Sequence, residues 1–248
     1  MSEGIKDLLY KMADDELILG HRNSEWTGLG PMLEEDIAFS SMAQDKIGQS
    51  LAFFELLHSL GEAEPDIVAF TRNAKQFHNC QLVELPIGEY DFSLVRHFLF
   101  DNADYQRFSH LRDSAYTPLS DLAKKFMGEV KYHLMHGEIW MKKLAHGNED
   151  SLARLQTSLD YAFPFALGIF EKSEFEDQLI SDGIYKGEEF LKDLWLEKIH
   201  NDISKTPLRL NSDIEPVLGG RNGMHTEYLQ PLLNEMSEVF KIDPGAEW

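Results

Sequence analysis

The side chains able to ligate a metal recur at intervals along this chain: Asp14-Asp15-Glu16, Asp45, Asp101, and then Glu129, His133 and His136. Carboxylates and imidazoles in such a series suit a carboxylate-bridged di-metal centre, in which two helices of a bundle carry Glu-x-x-His pairs. Ligands on successive antiparallel helices lie about 30 residues apart, one helix plus one loop. Counting forward from Asp14, Asp15 or Glu16 arrives near Asp45, and counting back from His133 arrives between Arg96 and Asp104. The layout fits, but the ligands do not. One Glu-x-x-His frame reads Asp45-Lys46-Ile47-Gly48, and glycine supplies no ligand. The other reads Val130-Lys131-Tyr132-His133, with an apolar residue at the carboxylate position and Glu129 about 100° away around the helix. Each pair lacks half its chemistry, so the sequence assigns no catalytic, cofactor-binding or metal residue.

The elements that must position these groups are helices. Leu119 to Leu144 carries Leu119, Leu122, Ala123, Phe126, Val130, Leu134 and Met141 at steps of three, four or seven, with His133 on the same stripe. In Asp36 to Leu57, the residues Ala38, Ser41, Met42, Asp45, Gly48, Gln49 and Ala52 share a face. Further helices are expected over Ile5 to Arg22, from Pro31 to Leu60 with Gly61 as its stop, Asp66 to Cys80, and Phe92 to Leu111. Pro118 opens the fifth, Asn148 and Ser151 start a sixth that Pro164 should kink or end early, and Glu188 to Asn201 and Gly223 to Phe240 follow. Little alternates with period two, so the case for strands is weak. The expectation is an all-α fold, a ferritin-like four-helix bundle with flanking helices, and no linker divides it, so a single domain over residues 1–248.

Structural explanations compete with the metal at each position. Gly48, with Ala38, Ser41 and Ala52, makes a small-residue face that another backbone can approach. His133 suits a hydrogen-bonded core or interface histidine. Glu129, His133 and His136 at i, i+4 and i+7 could form a mononuclear surface site. Glu34-Glu35-Asp36 reads as a solvated first turn, and His225-Thr226-Glu227 as capping and packing. Gly219-Gly-Arg-Asn-Gly223 could hold an anion through backbone N–H groups and Arg221, or need its glycines only for backbone shape.

Composition excludes several classes. A formal net charge of −20 and a pI near 4.8 argue against nucleic-acid and anionic-membrane surfaces. One cysteine, Cys80, permits neither an internal disulfide nor a cysteine zinc site. Neither a signal-peptide pattern nor a long apolar run occurs, and a cytosolic protein is expected. No Gly-rich nucleotide loop, phosphate loop or Gly-x-Ser-x-Gly is found.

The segments DDELILGHRNSEW (14 to 26), EEDIAFSSMAQDKIGQSLAFF (34 to 54), DIVAFTRNAKQFHNCQLVELPIG (66 to 88), GEVKYHLMHGEIWMKKLAHG (128 to 147) and GGRNGMHTEYLQPLLNEM (219 to 236), with the terminal Gly-x-x-Trp248, resemble the phenylacetic acid catabolic protein family. Within it they look like the C-type subunits of bacterial phenylacetyl-CoA epoxidase complexes. That resemblance implies a ferritin-like structural subunit of aerobic phenylacetate degradation, itself non-catalytic, that pairs with a homologous catalytic A subunit. It places the di-iron centre and the acyl-CoA substrate in the A subunit, flavin and iron-sulfur groups in a reductase subunit, and no cofactor in this chain. Self-association is compatible with it. The alternative is an oxygen-activating di-iron enzyme with a non-standard ligand set of Glu16, Asp45, Asp101, Glu129 and His133.

Overall fold

A computed structural model describes residues 2–211 and 213–245 of the chain, so Trp248 lies outside the described residues. In chain order the helices are α1 (Ser2–Ser24), α2 (Leu33–Ser59), α3 (Pro65–Thr71), α4 (Gln81–Glu84), α5 (Tyr90–Leu111), α6 (Thr117–Ala145), α7 (Glu149–Leu167), α8 (Glu176–Ser181), α9 (Glu188–Ile203), α10 (Leu229–Met236) and α11 (Glu238–Ile242), with short 3-10 turns at Ala74–Gln76, Gly168–Phe170 and Gly220–Asn222. The described residues hold no strand, and the long helices follow one another as in the expected all-α, ferritin-like class. No helix among them is long and apolar enough to cross a membrane. The chain forms two compact units, one of Lys6–Pro86 with the described residues from Gly219 onward, the other of Ile87–Leu218 with Glu3–Ile5.

In the first unit the inner face of α2 is made by Glu35, Ala38, Phe39, Met42, Ala43, Lys46, Gln49, Ser50, Phe53, Phe54 and Leu57. Ser50 Oγ donates to the Ala13 carbonyl of α1 at 2.8 Å. The close approach of backbones comes at Gly20 of α1, where a Cβ would meet Ile47 Cγ1 at 2.8 Å and the Ala43 carbonyl at 3.3 Å. Gly48 is exposed with no neighbour within 4 Å of a Cβ position, so it does not serve an approach inside this chain as its small-residue face suggested. The outward face of α2 instead shows Leu33, Ile37, Ile47 and Leu51.

The expected helix over Asp66 to Cys80 is divided. It leaves helical geometry at Arg72 (φ −72°, ψ 144°), and Asn73 caps a separate turn by accepting from the Lys75 N–H. The C-terminal helix likewise starts at Leu229 rather than Gly223 and is parted from α11 at Ser237, whose Oγ donates to the Leu233 carbonyl.

In the second unit α5 is the central element, packed against α6, α7 and α9. Every residue from Phe92 to Asp104 is buried. Gly137 of α6 lets the α5 backbone come close, since a Cβ there would stand 3.2 Å from Phe98 Cα. Trp195 of α9 donates its indole N–H to the Leu99 carbonyl at 2.9 Å and stacks on Phe163 with centroids 5.7 Å apart. Helix α7 opens on the capping box of Asn148 and Ser151. It does not end at Pro164 but runs to Leu167 and tightens into the 3-10 turn, where the Gly168 N–H turns to Ala166 and Phe165. The Pro164 carbonyl takes the Val217 N–H instead, at 3.0 Å. Residues 207–211 and 213–218 are thereby laid along α7, also held by Gln156, whose amide bonds both the N–H and the carbonyl of Arg209 at 2.9 Å.

Candidate functional site

The sequence count of about thirty residues from α1 to α2 is met one residue from Asp45. Lys46, not Asp45, reaches α1, and its ammonium stands 3.0 Å from Glu16 Oε2 with both side chains buried. Consecutive residues on a helix point about 100° apart, so Asp14, Asp15 and Glu16 face three directions. All three are buried, and a buried carboxylate without a partner is strongly destabilising. Each has its own cation, delivered by a different element.

Asp14 receives the Arg72 fork, through Nη1 at 3.0 Å and through Nη2, and the His78 N–H at 2.8 Å. This explains the break after α3: Arg72 must leave the helix to reach across. Its guanidinium lies 4.0 Å from the Phe77 ring centroid and bonds the Val68 and Gln76 carbonyls. Asp15 pairs with Arg221 Nη2 at 2.8 Å and accepts the Cys80 N–H at 2.7 Å. Burial, with Asp15 alongside, pushes the Cys80 thiol well above its ordinary range, so it stays protonated and inert.

Arg221 shows which reading of the glycine-rich loop holds. Its Nη1 also donates to the His78 carbonyl at 2.9 Å, so the guanidinium is committed inward and not presented to an anion. Gly220 and Gly223 admit no Cβ, which would fall 2.5 Å from the Asn79 carbonyl and 2.6 Å from the Lys75 carbonyl, and φ at Gly223 is +75°. His225 and Thr226 close the same region by anchoring Glu84. His225 Nδ1 meets Glu84 Oε1, the Thr226 N–H and hydroxyl donate to Oε2 at 2.7 and 2.6 Å, and Asn79 donates to Oε1 at 3.0 Å. The anchoring of this stretch delays the start of α10.

In the second unit Asp101 accepts from His97 Nδ1 at 2.9 Å, one turn away on α5, and both are buried. Asp104 and Glu188 flank Arg107, at 3.7 and 3.2 Å, and Tyr185 lies 3.3 Å from its Nε. Burial works against the Arg107 charge, but Tyr185, Glu188 and Asp104 outweigh it and raise its pKa. Burial, with Glu188 beside it, raises that of Tyr185. On α6, Val130, His133 and His136 are buried while Glu129 is half-exposed. Among the described residues no three His, Cys, Asp or Glu side chains converge to hold a metal ion, the trio Glu129, His133 and His136 included. Glu35 corrects the solvated first turn of α2: it is buried, and Asp36 accepts the Gly28 N–H at 2.7 Å, leaving only Glu34 exposed.

Lys46 and Arg72 are the cations sequence reasoning missed, and Arg221, read there as a candidate anion site, was missed as the partner of Asp15. Arg72 and Glu84 of the segment 66 to 88 and His225 and Thr226 of the segment 219 to 236 meet here around α1 and α4. The α1 carboxylates do not fit a di-metal centre as they stand, because their oxygens are already bonded to ammonium and guanidinium.

The model of the family described as phenylacetic acid catabolic protein matches residues 2–248. The chain is 30% identical over 239 residues to the C subunit of the 1,2-phenylacetyl-CoA epoxidase of Escherichia coli (strain K12), covering 96% of each chain. With a family model spanning nearly its whole length and such a relative beside it, the chain belongs to the phenylacetic acid catabolic protein family.

Proposed function

We propose that this chain is a structural, non-catalytic subunit of a cytoplasmic phenylacetyl-CoA epoxidase in aerobic phenylacetate degradation, supporting a homologous di-iron catalytic A subunit. The observation that carries this reading is the pairing of the three consecutive α1 carboxylates: Asp14 with Arg72, Asp15 with Arg221 and Glu16 with Lys46. The ammonium of Lys46 supplies the positive charge beside Glu16 that a metal would otherwise bring. Support also comes from Asp101, engaged by His97, and from Gly48, which carries no ligand. The oxygenase alternative built on Glu16, Asp45, Asp101, Glu129 and His133 gains no support from these pairings. Chemistry at iron, with flavin and iron-sulfur groups supplying electrons, belongs on this reading to the other subunits.

The test is elemental iron on the chain purified alone, and again after its separation from a co-expressed catalytic subunit. Substoichiometric iron in both preparations is expected. Close to two irons per chain, lost in His133→Ala, would overturn the reading.

A further inference from the structure

A cavity of about 550 Å³ lies in the second unit between the end of α7, α9 and residues 213–218 of the strap along α7. Its apolar wall includes Phe163, Leu167, Phe170 and Leu196, and the strap adds Ile214, Pro216 and Leu218. That volume is within the range of small-ligand sites, roughly 300–1,000 Å³. The site is built rather than left over from loose packing. Phe163 and Phe170 are buried against Trp195, and the strap is fixed at both ends by Gln156 and by the Pro164 carbonyl.

The ionisable groups around it run against the composition of the chain. The protein has 43 acidic residues to 23 Lys and Arg, yet the lining holds Lys172, Lys192 and His200 with one acid, Glu171. Lys172 is held by Glu189 at 2.8 Å, whereas Lys192 makes no ion pair among the described residues, although its charge acts on Glu189. One ammonium is thus offered beside an apolar wall.

We propose that this cavity binds an amphipathic organic carboxylate, its apolar body against Phe163, Leu167 and Phe170 and its head group at Lys192. The pairing follows from charge and shape alone: the wall has little to offer a polar body, and Lys192 brings an ammonium to the lining of the same cavity. It is independent of the assignment to a structural subunit.

The probe is octanoate, with octanamide as its uncharged twin, titrated by calorimetry into the full chain. Saturable octanoate binding is expected, tighter than that of octanamide. Lys192→Met should weaken octanoate about tenfold, the size of one charge-assisted contact, and leave octanamide unchanged. Lys124→Met, the same charge change on exposed α6, should alter neither. Leu218→Trp, at a half-exposed position, should weaken both by filling the mouth without touching the core. Three results would overturn the proposal: no saturable octanoate binding, a Lys192→Met effect no larger than that of Lys124→Met, or unchanged binding of both probes by Leu218→Trp.

Discussion

Buried charge is handled differently in α1 and in α5. The three consecutive carboxylates of α1 are matched by cations from far along the chain, with Glu16 and Lys46 separated by 30 residues and Asp14 and Arg72 by 58. In α5, Asp101 is matched within the helix by His97 at i,i+4, and Asp104 by Arg107 at i,i+3, with Arg107 also reaching a distant acid, Glu188 of α9. A local pair forms as soon as its helix does, whereas a distant pair exists only when the tertiary structure is complete. The α1 pairs therefore specify how their unit assembles, and the α5 pairs mostly make one helix tolerable in a core.

The largest expected effect strikes a distant pair. Lys46→Met leaves the buried Glu16 carboxylate without its ammonium and should cost about 3–5 kcal/mol, read from the urea midpoint. The double variant Lys46→Met/Glu16→Leu should recover most of the loss. No recovery would mean that the pair is not what holds α1 to α2. His97→Leu should cost less, about 1.5–3 kcal/mol, as the loss of one hydrogen bond to a charged acceptor. A loss as large as that from Lys46→Met would erase the distinction between the two helices.

The two glycines of the α1 and α2 pairing sharpen the comparison further. Gly20→Leu should destabilise the isolated chain by about 1–3 kcal/mol, because Ile47 and the Ala43 carbonyl stand in its way. Gly48→Leu should leave the stability of the isolated chain unchanged or raise it by up to about 1 kcal/mol through helix propensity. It should nonetheless weaken assembly with the catalytic subunit in a co-purification assay, and normal assembly would remove α2 from that interface. The smallest effect is one of pH. Burial lowers the His21 pKa, with Arg22 acting in the same direction and Glu235 against. The unfolded chain then binds the proton more readily, so this contribution to stability is present above the ordinary histidine range and is lost as pH falls. His21→Gln should flatten the decline between about pH 7 and 5, and an unchanged slope would assign it to other groups.

Most of the long helices are legible locally. Gly61 after α2, Pro118 in the first turn of α6 and the Asn148–Ser151 box before α7 are punctuation that needs no knowledge of the fold. The burial of α2 is not legible in this way. Leu33, Ile37, Ile47 and Leu51 on its outer face are as apolar as much of its inner face, which carries Glu35, Lys46 and Gln49, so periodicity does not separate the two sides: of the face read from spacing, Ala38, Met42, Gln49 and Ala52 are buried, while Ser41 and Gly48 are exposed. The division of residues 66–80 escapes for a related reason. Nothing in that stretch announces that Arg72 must turn aside for Asp14. Of the candidate site, the acids of α1 could be seen as acids, but their partners were invisible because pairing across such separations leaves no periodic trace.

Gln156 grips Arg209 entirely through the main chain, taking its N–H and offering to its carbonyl. The clamp is therefore indifferent to the side chain at that position. Nineteen of the twenty amino acids present the same two groups, and only proline lacks the N–H. The strap over the cavity can accumulate substitutions at residue 209 without loosening, while residue 156 has no such freedom, since a glutamine supplies the donor and the acceptor together.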